Sequence, residues 1–201
     1  MTYYLNLFSP ETWAKCDEEG FCVSGFSPNQ RTTAQKIKPG DILLCYLVGP
    51  SRWCGALRVK SEAYDDETPV FANPDPFTVR FSVERIHAFD PEHSVPIFLD
   101  EIWTKLSLTR NLPKGVSGWA TGFRGSLRVI ADTDGQLVMN HLAEQEANQR
   151  LYPLDERDKR QLARRSNAVP PEPVGRHSWR MENDVSALFS TLSFQLGQLD
   201  A

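Results

Sequence analysis

The sequence predicts a mixed α/β fold: a small, strongly curved or closed β-barrel with helices at its rim and a helical extension at the C terminus. Three observations carry this expectation. Apolar or alternating runs of strand character dominate residues 1–150. The helical patterns are few and fall between those runs, so strand edges are best removed by curling the sheet on itself. Near residue 150 the composition changes, and a proline-rich stretch separates what precedes it from an amphipathic tail.

Taken in order, Tyr3–Phe8 reads as the first strand. Ser9 can cap the helix that follows, Pro10 suits its first position, Glu11 complements its dipole and Gly20 ends it. A helical stretch is expected over Gln30–Ile37. The runs Asp41–Val48 and Gly55–Glu62 are strands joined by the Gly49-Pro50-Ser51-Arg52 turn. From Phe77 to His87, Phe77, Val79, Phe81 and Val83 alternate with Thr78, Arg80, Ser82 and Glu84, giving one core face and one wet face. Further helices are expected around Pro96–Leu106 and over Gly135–Gln149, the last with Asp132 as cap. Two domains follow, 1–150 as the barrel and 151–201 as linker and extension. Within the latter, Asp155–Arg165 is a polar helix capped by Asp155, and Ser166–Gly175 is an extended linker. Val185, Leu188, Phe189, Leu192 and Leu196 then mark a docking helix over Met181–Leu199.

The 201 residues carry a formal charge of −4, so a field spread over the whole molecule does not attract phosphate, and any nucleic-acid site must be local. No stretch is apolar enough to span a bilayer, and Met1–Phe8 lacks the pattern of a signal peptide, so a cytoplasmic location without membrane partners is expected. The four cysteines, at 16, 22, 45 and 54, have neither the spacing of a metal site nor histidines beside them. Buried free thiols are expected, with no metal and no cofactor. Catalytic motifs such as GxSxG, HExxH, Walker A and GxGxxG are lacking, so no enzymatic activity is expected. The Asp65-Asp66-Glu67 cluster reads as a solvated turn.

Aromatic and small polar residues gather instead at element ends: Phe26-Ser27 after a glycine, Trp53 at the hairpin, Tyr64 and Phe71 about the acidic turn, and Trp119 in a glycine-rich segment. Singly, each could cap the core. Together they suggest a flat stacking pocket for a base. Arg31, Arg52 and Arg124 lie near them and are candidate phosphate contacts.

The succession YYLNLFSPETW, GFS, IKPGDILLCYLV, CGALRV, EAYDDETPVF and FTVRFSVE resembles an EVE domain over residues 1–147 or so. EVE domains are PUA-like barrels similar in layout to YTH domains, which read methylated adenine in RNA. The resemblance implies an aromatic cage around a modified or flipped base. Phe26 and Phe71 match its two main walls, Trp53 or Trp119 would be the third, and Ser9 and Ser27 fall where polar groups meet the base edge. Phenylalanine at both walls, where YTH domains use tryptophan, departs from their pattern. A modified cytosine in DNA, as read by EVE-type domains attached to bacterial restriction systems, is the implied ligand, ahead of RNA. The alternatives are a protein-interaction module, through the C-terminal helix, of a bacterial defence or RNA-modification system, and an RNA-cleaving PUA-like enzyme.

Overall fold

A computed structural model describes residues 1–72 and 74–166. The expected linker over 166–175, beyond Ser166, and the expected docking helix over 181–199 lie outside the described residues. Eight strands form one sheet: β1 (Tyr3–Phe8), β2 (Val23–Phe26), β3 (Ile42–Leu47), β4 (Arg52–Val59), β5 (Tyr64–Asp65), β6 (Val79–Ala88), β7 (Val95–Pro96) and β8 (Arg128–Ile130). Their order is β2-β6-β4-β3-β1-β8, with β5 pairing to β6 and β7 to β4. Only β1 and β3 run parallel among these pairs.

The sheet curls into a half-barrel. β2 and β1 stand four places apart in strand order, yet Asn6 of β1 donates from Nδ2 to Ser24 Oγ of β2 at 3.0 Å. That bond spans the barrel interior, and both residues are buried. Register shifts at Cys45/Tyr46 and Ala56/Leu57 bend the central strands, as bulges do. Gly55 stands opposite Ala88 beside the second shift. A Cβ there would lie 2.3 Å from the His87 carbonyl oxygen, so only glycine admits β6 this closely.

The run Ile42–Leu47 is buried throughout because the sheet has a core on each face. Leu43, Cys45 and Leu47 join Tyr4, Phe8, Leu57, Phe81 and Val83 inside the half-barrel. Ile42, Leu44 and Tyr46 face the other way, toward helices α3 (Asp100–Trp103) and α4 (Asp132–Asn148), where Ile102, Trp103, Val138 and Leu142 cover them. The remaining helices are α1 (Pro10–Glu18), α2 (Arg31–Ala34) and α5 (Glu156–Ser166). Ser9 caps α1 reciprocally with Thr12, as the sequence suggests. α4 starts three residues earlier than expected, at Asp132, with Ala131 in the cap position. Asp155 Oδ1 accepts the Asp158 amide and opens α5, which belongs to the same compact unit as the sheet, so the expected boundary at residue 150 falls inside that unit.

Cys16, Cys45 and Cys54 are buried free thiols, and burial pushes the Cys16 thiol up to about 12. Cys22 is free but exposed, a correction to the expectation that all four are buried. No helix among the described residues is long and apolar enough to cross a membrane.

Candidate functional site

The interior of the half-barrel opens at the C-terminal ends of β1 and β2. Asn6, Leu7 and Phe8 from β1, Thr12 from α1, Gly25 and Phe26 from β2, Ser27 and Gln30 from the turn after it, and Ser126 line a cavity there. Phe71 and Phe77, from the loop between β5 and β6, complete it. Its volume is about 110 Å³, of the same order as the ~150 Å³ apolar cavity that accepts benzene. No lining side chain is ionisable, so the cavity is matched to a flat, neutral ring with polar edges.

Each wall has a local cause. Phe26 is buried at the end of β2 and meets Phe81 edge-on at 5.8 Å. Phe71 and Phe77 meet at 5.9 Å with their planes at 87°. Both approach Gly25, where a Cβ would lie 2.7 Å from the Phe71 ring and 2.9 Å from the Phe77 carbonyl oxygen. The glycine therefore supplies space for the two walls. Ser126 Oγ accepts the Leu7 amide at 3.1 Å, finishing the backbone of β1 just beyond its pairing with β8.

The loop carrying Phe71 and Phe77 is held by a buried ion pair. Asp75 accepts the amides of Val70, Phe71 and Phe77 at 3.0, 2.9 and 2.9 Å. Arg80 of β6 donates to Asp75 at 3.1 Å, to Asp66 at 2.8 Å, and to the Phe77 and Thr68 carbonyls. Alternation assigns Arg80 to a wet face, but it is 1% exposed because this loop folds over its guanidinium. The Asp65-Asp66-Glu67 cluster is likewise more than a solvated turn. Asp65 pairs with Arg31 and Asp66 with Arg80. Hydrogen bonds from Thr68, aided by Arg80, hold the Asp66 carboxyl below its usual value. No group of residues suited to a metal ion occurs among the described residues.

Of the residues singled out from sequence, Phe26, Ser27 and Phe71 meet in the cavity. Ser9 does not line it, because its hydroxyl is committed to capping α1 through Thr12. Tyr64 is exposed on β5, opposite Arg80 in register and outside the lining. Trp53 is 1% exposed on the other face of the sheet, packed on Tyr46 at 5.1 Å and Phe123 at 5.9 Å. Trp119 belongs to that same cluster, with Phe98, Trp103 and Phe123. The third wall is thus Phe77, which the strand pattern presents as an ordinary core position.

The arginines divide. Arg52 is buried, with its guanidinium on the Pro91, Tyr152 and Pro153 carbonyls and Asp158 at 3.7 Å, so it is a structural strut and not a phosphate contact. Arg31 follows the lining residue Gln30 and is exposed but engaged by Asp65, whose hydrogen bond and charge raise its pKa. Arg124 is exposed two residues before Ser126. Asn6, Thr12, Gly25, Gln30, Asp75 and Ser126 are missed by sequence reasoning, and only the Pro74-Asp75-Pro76 run hints at a fixed loop.

The fold has counterparts among solved structures. The Mmi1 YTH domain in complex with RNA matches with a TM-score of 0.54 at 12% identity, covering 76% of this chain and 84% of that one. A second crystal structure of the Mmi1 YTH domain matches with a TM-score of 0.52 at 13% identity, covering 73% of this chain and 91% of that one. The fold is YTH-like. No family model and no curated protein matches the chain. In this YTH-like half-barrel the cavity lies inside the curl, and the tryptophan-rich cluster lies on the sheet's opposite face.

Proposed function

We propose that this chain is a non-enzymatic nucleic-acid reader whose cavity takes up one flipped or single-stranded base. One observation carries the reading: a cavity of single-ring scale has four phenylalanines in its lining, and every polar side chain there is neutral. Stacking on such walls is worth about 1–3 kcal/mol per base, enough to offset the few kcal/mol that unstacking a base costs. A neutral lining supports binding in preference to acid–base cleavage, which would require a proton donor and acceptor at the reacting atoms. The YTH-like fold supports a nucleic-acid ligand, since Mmi1 structures of that fold are described with RNA.

The finer reading follows the EVE resemblance: a modified cytosine in DNA. A pyrimidine is the smaller base and suits the cavity's volume. Arg124, and Arg31 once released from Asp65, would meet the phosphates at the rim. Equilibrium binding to single- and double-stranded DNA and RNA bearing 5-methylcytosine or N6-methyladenine, each beside its unmodified parent, tests both levels. The result expected is a preference for the 5-methylcytosine DNA over its parent. Preference for an RNA probe overturns the DNA assignment alone, and equal binding of every modified probe and its parent overturns the reader.

A further inference from the structure

Asp75 is outside the cavity lining, yet the backbones of two of the cavity's four phenylalanines are fastened to it. Phe71 and Phe77 lie outside any strand or helix, so no ladder of backbone bonds fixes where their rings stand. The Asp75 carboxylate takes the amides of both wall residues. Its side chain is fully buried beside an Arg80 side chain that is 1% exposed, so water does not compete for either group. Oδ2 takes the amides of Val70 and Phe71 together with Arg80 Nη2, and Oδ1 takes the amide of Phe77. Arg80 closes the same loop from the other side through the Thr68 and Phe77 carbonyls and Asp66. Charge-assisted bonds from one carboxylate to both wall residues lock their spacing before any ligand arrives.

We infer that Asp75, braced by Arg80, is the positioning residue of the cavity, presetting the Phe71 and Phe77 walls and thereby its selectivity among planar rings. The selectivity part rests on the base-binding reading above; the presetting of the walls does not. The chemistry is that of a preorganised slot. Two aromatic rings held in a fixed edge-to-face arrangement, 5.9 Å apart with planes at 87°, give the cavity one shape and so distinguish a methylated ring from its parent, whereas rings on a loose loop adapt to both and discriminate between neither.

The test uses Asp75→Asn in the full chain, which keeps the shape but places an amide where the N–H donors point. Amide hydrogen exchange is followed at Phe71 and Phe77, with Leu44 of β3 as internal reference. Affinities are measured for the 5-methylcytosine and N6-methyladenine oligonucleotides and their parents. Exchange at Phe71 and Phe77 is expected to rise tenfold or more with Leu44 unchanged, and the ratio of parent to modified Kd is expected to fall toward one. A merely structural loss would weaken both probes alike and leave that ratio intact, which overturns the selectivity part. Native exchange at both amides overturns the presetting. Should the native protein prefer no modified probe, the reader falls, while exchange still decides whether Asp75 holds the walls. If Asp75→Asn does not fold, Asp66→Ala at the half-buried end of the same network decides. A smaller rise at the same two amides supports the inference, and no change there overturns it.

Discussion

Phe26 and Phe71 each serve the cavity with one part of the ring and the core with the rest, being 3% and 4% exposed. Truncating either one therefore combines two losses: stacking of about 1–3 kcal/mol and core stability of roughly 3–5 kcal/mol. Phe77 is only half-buried, which makes it the cleaner probe. Phe77→Ala is expected to weaken binding of the preferred oligonucleotide about tenfold while lowering Tm less than Phe71→Ala does, read by titration and thermal melting side by side. At Gly25 the added methyl of Gly25→Ala meets the Phe71 ring and the Phe77 carbonyl. A cost of about 1–3 kcal/mol in stability is expected from that overpacking, together with loss of binding as the walls are displaced. Native binding by a folded Gly25→Ala protein would show that the cavity takes no ligand. At the rim, Arg124→Ala should reduce affinity for all probes equally and flatten the salt dependence, because phosphate contacts carry no base information.

Among the elements, those whose cause is local are legible in the sequence. Tyr3–Phe8 alternates between two cores, Ser9-Pro10 starts a helix, and the apolar run through Leu47 has a core on both sides. The loop before β6 is not legible, because its conformation comes from one carboxylate and one guanidinium reaching amides and carbonyls several residues away. The period-two pattern sends Arg80 to solvent for the same reason: alternation reports which face a side chain takes, and not what covers that face. Trp53 and Trp119 mislead in the other direction. Their residue type suits stacking, but Trp53 on β4 and Trp119 beyond the sheet both join the cluster on the face opposite its interior. The loop also has a pH signature. The Asp66 carboxyl lies below its ordinary value of 3.8, so its contribution is complete above that value and lost as pH falls through the lower, folded one. Exchange protection at Phe71 and Phe77 should hold from pH 7 to pH 5 and decline below about pH 4, and Asp66→Asn should remove that decline.

For the whole molecule, the segment 150–158 matters more than a linker would. Arg52 reaches from β4 to the Tyr152 and Pro153 carbonyls, and the Tyr152 amide donates to the Glu92 carbonyl at 2.8 Å. A chain ending at residue 150 should melt roughly 3–12 °C below one ending at 166, taking about 1.5–3 kcal/mol for bonds to a charged group and 2–4 °C per kcal/mol. Equal melting temperatures would reduce 151–166 to an appendage.

The strand that begins the chain is also among the last to be completed. β1 lies between β3 and β8, with Tyr3 opposite both Ile42 and Ile130, and the Leu7 amide waits for Ser126. At about 5–20 residues per second of synthesis, the first strand stands with one side unpaired for roughly 6–24 s before its second partner exists. During that interval a nascent chain presents an apolar edge and an unfinished cavity, the state that holdase chaperones bind and that favours strand exchange between neighbouring chains. A circular permutant opened ahead of β8 makes that strand before β1, so that β1 waits only for β3, roughly 2–7 s at the same rate, and the yield of soluble protein from rapid synthesis should rise accordingly.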